Sequence, residues 1–300
     1  MATKLRTADN LKQVSETVTN FLRSPNPSSR ALMTDVIKPL SEIGEVAVVG
    51  GLVRDLAFYG PSERPISDID LVVRGSPSAL AAFAERAGAV QNRFGGYGLK
   101  TAAFKADFWS LSSTWARREG HVSIKNPADL VRATFFDWDA IVYSVKSGKI
   151  DAINGYIGRL QRRVLDLNLE PNPSIEGNLV RALRRVMMWD VRTGPLLRTF
   201  IETWLYRHDW DELVFCEKAA FHTSYLSRFS SARQYHDDVL NNSEFSGVGR
   251  DDFRQTTFDV VRHLPYQSQI PTTPDFITRY HTILPKVARM RSDTPDLFED

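Results

Sequence analysis

Asp68 and Asp70, in Ser67-Asp68-Ile69-Asp70, lie one residue apart in a β-prone run from Ile66 to Val73. On a strand, residues i and i+2 point to the same side, so both carboxylates share one face. Adjacent carboxylates repel each other unless a cation neutralises them, and oxygen ligands at this spacing suit Mg²⁺. Asp107, in Lys105-Ala106-Asp107-Phe108-Trp109, offers a third carboxylate. On a neighbouring strand it would complete a two-metal site, the kind that activates a hydroxyl and steadies leaving phosphate oxygens.

A phosphate-binding turn stands upstream. Gly50 and Gly51 follow the apolar run Val46-Ala47-Val48-Val49 and precede a helix-like stretch over 52–59. Without side chains, the backbone N–H groups there can approach a phosphate, and the helix N-terminus adds partial positive charge. Arg54, in the first turn of that helix, is placed to fork onto a phosphate. Each feature alone has a plainer reading, a simple turn or a solvated edge strand. Jointly they converge on a nucleoside triphosphate.

These residues need a mixed α/β scaffold, and the pattern supplies one. An amphipathic helix over 7–22 carries the stripe Leu11, Val14, Val18, Phe21 and Leu22. A second helix is expected over 29–38, with Pro39 as its boundary. Strands are expected at 46–49, at 66–73, within Leu99 to Trp109 and at 141–143. An Ala-rich helix covers 77–87. Glu170-Pro171-Asn172-Pro173 marks a hinge, beyond which the pattern is mainly helical, with an apolar face of Leu179, Leu183, Val186 and Met187. The expected organisation is N-terminal helices (1–40), an α/β catalytic domain (41–170), a helical neck and body (171–290) and an acidic tail (291–300).

Composition bounds the class. The chain has 300 residues, 42% hydrophobic and 25% charged, which excludes wholesale disorder and collagen-like or coiled-coil classes. A formal charge of +2 is far from that of a DNA-packaging protein. The single cysteine, Cys216, excludes an internal disulfide and a thiolate-cluster zinc site, and fits a reducing, cytoplasmic setting. The charged first twenty residues do not read as a secretory signal, and no apolar run is long enough to span a membrane.

The joint motif Gly50-Gly51-Leu52-Val53-Arg54-Asp55 with Asp68-Ile69-Asp70 resembles the head domain of class II tRNA nucleotidyltransferases and bacterial poly(A) polymerases. These belong to the polymerase-beta-like nucleotidyltransferase superfamily. Three further stretches, 129–143, 150–160 and the neck segment Asn178 to Arg185, are similar to later family motifs. The resemblance spans about 48–185 and is most specific at its start. It implies a polymerase-beta-like head with a mixed sheet, followed by a mainly helical neck and body. It also implies transfer of NMP from an NTP to an RNA 3′ hydroxyl with two Mg²⁺. Asp68, Asp70 and Asp107 would hold the metals, and Gly50, Gly51 and Arg54 would meet the triphosphate. Asp139 and the neck residues Asn178, Arg181, Arg184 and Arg185 would face the nucleotide. This sequence departs from the family pattern in three places. Asp139 stands where the family has asparagine, Arg132-Ala133-Thr134-Phe135 lacks the family's arginine-aspartate pair, and Gly177-Asn178 replaces the neck's glutamate-aspartate pair, which leaves only Arg181 of that motif.

The residues themselves support a basic neck. Arg181, Arg184 and Arg185 recur at i, i+3 and i+4, which puts them on a shared helix surface fit for a triphosphate or an RNA backbone. Aromatics from Trp204 to Phe229 read as helix packing, with base stacking as the rival. His236-Asp237-Asp238 lacks partners at metal-ligand spacing, and Cys216 reads as a small core residue.

Three functions fit. The first is a Mg²⁺-dependent nucleotidyltransferase using NTP and an RNA 3′ end, with tRNA as the leading acceptor. The second keeps the chemistry but modifies a small molecule, a nucleotide or a protein. The third is a non-enzymatic nucleotide- or RNA-binding module. The nucleotide, the acceptor and the oligomeric state are not written in the sequence.

Overall fold

The computed structural model describes residues 7–60, 68–101 and 104–241, with Asp68 described through its backbone. The expected acidic tail and the last part of the expected body lie outside these residues.

Helix α1 (Leu11–Arg23) is capped by Asn10, whose Oδ1 accepts from Gln13 N at 2.9 Å, and it buries Val14, Val18 and Leu22. Helix α2 (Pro27–Ala31) runs through a wider π-type stretch, Leu32–Ile37, into α3 (Lys38–Ile43). Pro39 therefore does not end the second helix as the sequence reading expects. A proline ring ordinarily collides with the carbonyl four residues back. Here Lys38 N donates five residues back, to Met33 O, and the widened turn admits Pro39.

Strand β1 (Gly44–Val49) leads through Gly50 into α4 (Gly51–Tyr59), and β2 (Asp68–Gly75) follows. Helix α5 (Pro77–Arg86) and the short strands β3 (Val90–Gln91) and β4 (Tyr97–Lys100) carry the chain to β5 (Lys105–Ser110). The strand expected within Leu99 to Trp109 is β5, while Leu99 and Lys100 belong to the separate strand β4. After a short helix, α6 (Trp115–Arg118), and 3₁₀ turns come β6 (Ile141–Ser144) and β7 (Ile150–Ala152).

The seven strands form one sheet in the order β3-β4-β5-β2-β1-β6-β7. Within this sheet, among the described residues, only β2 and β5 pair in parallel. Alternation assigns the faces. Ile69, Leu71 and Val73 are buried on the face against which α5 packs, and Phe83 meets Phe108 edge-on there at 5.5 Å. On the opposite face Ala47, Val49, Val72 and Val142 join Leu111, Ile124 and Leu130 in a core cluster.

Helix α7 (Tyr156–Arg162) and β8 (Val164–Leu165) lead to a helical region of α8 (Ile175–Trp189), α9 (Pro195–Leu205) and α10 (Trp210–Phe221). It continues through α11 (Ala232–Tyr235). Strand β9 (Arg192–Thr193) pairs in parallel with β8. Asp166 ties the hinge down: its Oδ1 accepts from Leu197 N at 2.7 Å, capping α9. The aromatics of this region divide. Trp210 and Tyr225 are buried, whereas Tyr206 and Phe215 are exposed. No helix among the described residues is long and apolar enough to cross a membrane. The described residues thus form a mixed-sheet head followed by a mainly helical region, the order the sequence leads one to expect.

Candidate active site

The parallel register sets the carboxylates. Asp70 on β2 lies directly opposite Asp107 on β5, and Asp68 opposite Lys105. Same-register neighbours share a face, so Asp70 and Asp107 stand together. Lys105 Nζ is 2.9 Å from Asp107 Oδ2. On the other side of β5, Gly98 faces Asp107 across the β4–β5 pair, and a Cβ there would come within 3.0 Å of Asp107 Oδ1. Glycine thus leaves the carboxylate its room.

Gly50 forms the turn beside them. Its φ of 62° and ψ of −118° lie where only glycine is comfortable. A Cβ at Gly50 would stand 4.0 Å from Asp70 Oδ2 and 4.0 Å from the Asp139 Cβ. The turn therefore sits between two carboxylates from different parts of the chain. Gly50 N is held by Ile141 O at 3.2 Å, which fixes the turn to β6.

Arg54 is only 9% exposed. Its Nε donates to Asp55 Oδ1 at 2.9 Å, and its Nη1 donates to Asp139 Oδ1. Arg185, on α8, donates from Nη1 to the other oxygen, Asp139 Oδ2, at 2.6 Å. One carboxylate thus serves two guanidiniums. Burial alone would raise the Asp139 pKa, but Arg185 and Arg54 outweigh it and bring it down to about 2. The two arginines respond differently. Burial lowers Arg185 to about 10, with Asp139 raising it and Arg54 lowering it further. Burial opposes the Arg54 charge too, but two carboxylates carry its pKa above the ordinary value.

Aromatic rings frame this triad. Trp138 and Trp189 stack with centroids 5.3 Å apart and planes 12° apart. The Arg54 guanidinium carbon lies 4.6 Å from the Trp189 ring centre, and that of Arg185 lies 4.2 Å from Phe136.

The neck arginines do not act as one surface. Arg184 turns away from the head. Its Nε donates to Glu217 Oε1 at 3.2 Å, and its guanidinium covers Phe221 at 4.0 Å. Arg181 is exposed and Asn178 is buried. Both share the Arg185 face of α8 by their spacing, at i+3 and i+7 from Asn178. Cys216 is half-buried, and burial together with Glu176 pushes its pKa up to about 12, far from an activated thiol.

The structure brings Gly50, Gly51, Arg54, Asp70 and Asp139 around one turn, sets Asp107 opposite Asp70, and stands Arg185 over Asp139. Arg184 belongs elsewhere. Sequence reasoning missed the second guanidinium on Asp139, the Trp138–Trp189 stack and Lys105. A signal was present: clustered arginines on a helix require counter-ions, and Asp139 follows a tryptophan. Among the described residues no three acidic, histidine or cysteine side chains are grouped to hold a metal. Asp70, Asp107 and the room left by Gly98 nonetheless offer the hard oxygen donors that Mg²⁺ takes.

No known family model and no curated protein matches the chain. Solved structures do resemble it. A tRNA-processing enzyme with CTP is 19% identical, with a TM-score of 0.46, over 77% of this chain and 65% of that one. The Thermotoga maritima CCA-adding enzyme complexed with tRNA is 19% identical, with a TM-score of 0.47, over 95% of this chain and 62% of that one. A tRNA nucleotidyltransferase complexed with a primer tRNA and an incoming ATP analogue is 18% identical, with a TM-score of 0.43, over 83% and 66%. The chain spans about two thirds or less of the length of each.

Proposed function

We propose that this chain is a Mg²⁺-dependent nucleotidyltransferase that moves NMP from an NTP to an RNA 3′ hydroxyl, with tRNA the leading acceptor and pyrophosphate the leaving group. The observation that carries the reading is the pairing of Asp70 with Asp107 in the β2–β5 register beside the Gly50 turn.

Asp70 and Asp107, with Asp68 from the same strand, would hold the metal. When bound, Mg²⁺ lowers the pKa of a coordinated hydroxyl and neutralises charge on the departing phosphates. The chain's own part is electrostatic and positional. The Gly50–Gly51 backbone and the N-terminus of α4 receive the polyphosphate. Arg54 underlies that turn, and Arg181 supplies an exposed cation on the neck. Asn178, buried on α8, would offer a base an amide with both donor and acceptor once the nucleotide is bound. Nothing in this scheme requires a covalent protein intermediate.

The test is a transfer assay with each α-labelled NTP and Mg²⁺, with and without total tRNA, beside an Asp68→Ala/Asp70→Ala control. Label on RNA that the control abolishes supports the reading and names the base. Label on a small product or on protein would move the acceptor to another class, a reading to which the Gly177-Asn178 departure lends weight. Absence of metal-dependent transfer would leave a binding module.

A further inference from the structure

We infer that Asp139 is a positioning residue, an ionic latch through which head residue Arg54 and neck residue Arg185 set α8 over the Gly50–Gly51 turn. The inference rests on the nucleotidyltransferase reading for its consequence, but not for its geometry.

The contacts are concentrated. Within the segment 136–139, Asp139 binds Arg185, Phe136 lies under the Arg185 guanidinium, and Trp138 stacks on Trp189. From the other side Arg54 donates to Asp139 and faces Trp189. The C-terminal half of α8 is thereby fixed to the turn. Its N-terminal half carries Asn178 and Arg181 on the same face as Arg185. A rigid helix held at one end fixes the position of side chains one and two turns away. Asp139 thus governs where the base-side groups stand without itself touching a base.

The same geometry makes Arg54 a brace more than a free phosphate fork. Both Asp55 and Asp139 occupy it, and it lies beneath Gly51, whose Cβ position is 3.7 Å from Arg54 Nη2. A carboxylate so close to the turn also places negative charge beside an incoming polyphosphate. Asparagine in its place would keep the shape, lose the charge and release one guanidinium.

The test compares binding of each NTP with binding of inorganic tripolyphosphate, with Mg²⁺, by calorimetry on the full chain. Wild type, Asp139→Asn, Arg185→Gln and the double variant are measured. In Asp139→Asn the advantage of the preferred NTP over tripolyphosphate should fall by about tenfold. Tripolyphosphate itself should bind as well as before or more tightly, since a neighbouring negative charge is gone. The double variant should lose no more than Asp139→Asn alone, because the two residues act as one unit. Arg185→Lys, which keeps the charge, should recover part of the loss. A misfolded or merely weakened variant would lose both ligands together. That result, or an unchanged NTP advantage, would overturn the latch. A second readout is independent of nucleotide: the exciton circular dichroism band of the Trp138–Trp189 stack should shrink in Asp139→Asn and Arg185→Gln. If wild type binds neither ligand, the nucleotidyltransferase reading fails, and this band alone decides the latch.

Discussion

Arg184 and Arg185 are neighbours in the chain, yet they leave α8 in different directions, Arg184 to Glu217 in the helical region and Arg185 to Asp139 at the head. Consecutive helical residues point about 100° apart, so one helix can be tied on two sides by adjacent side chains. The neck helix is fixed between two carboxylates, one from the head and one from the helical region.

Glu217 is fully buried and accepts from Arg184, Thr223 Oγ1 and the backbone N–H groups of Tyr225 and Leu226. Glu217→Ala leaves Arg184 and those donors without their acceptor. It should destabilise the chain by about 3–5 kcal/mol, read as a lower denaturant midpoint. An effect below about 1 kcal/mol would mean the network is dispensable.

Asp70→Asn should reduce nucleotide transfer at least about a thousandfold, equivalent to roughly 4 kcal/mol of barrier, with the thermal midpoint little changed. Steady-state assays beside a melting curve check both parts. Activity that survives within about tenfold would remove Asp70 from the chemistry.

Gly98→Ala should act through Asp107. A methyl group there would lie 3.0 Å from Asp107 Oδ1 and displace the carboxylate. The Mg²⁺ concentration for half-maximal transfer should rise by about tenfold, with a stability change under about 1 kcal/mol. A Mg²⁺ titration of wild type and variant gives the answer, and coincident curves would refute it.

The pH dependence has two components of opposite sign. Asp139 is brought down to about 2, so its stabilisation is present above the unfolded carboxylate range and is lost as pH falls toward 2. Asp137 behaves in the reverse way. Burial pushes it up to about 6, against the donors Asp166 N and Arg159 Nη1. The folded state then holds that proton more tightly than the unfolded one. Its contribution to stability declines as pH rises from about 4 to 6, on the order of 3 kcal/mol, and is level above that. Denaturant midpoints from pH 2 to 7 should show Asp137→Asn flattening the 4–6 portion and Asp139→Asn flattening the portion below 4. Parallel curves for all three proteins would contradict the assignment.

The local parts of the site were legible because their physics is local. The glycine pair after an apolar run, and two aspartates in strand alternation, need no knowledge of the rest of the chain. Asp107 was expected on a neighbouring strand, but its exact register opposite Asp70 was not legible, since a parallel register depends on a crossover whose closure no short pattern encodes. The arginine trio was misread for a similar reason. Spacing put Arg181, Arg184 and Arg185 on one surface, but Glu217 and Asp139 divide them, and both partners are remote in sequence. Pro39 marks another limit: its usual effect on a helix was cancelled by a widened turn that sequence periodicity does not register.

The strand order has a consequence for how the chain is made. β1 and β2 emerge first, yet they occupy the middle of the sheet, and their outer neighbours β5 and β6 come later. Until those arrive, the nascent polypeptide carries two open hydrogen-bonding edges on its most apolar strands, Val46 to Val49 and Leu71 to Val73. Such edges invite pairing with other chains. A ribosome product stopped before β5 should therefore aggregate, which sedimentation would reveal.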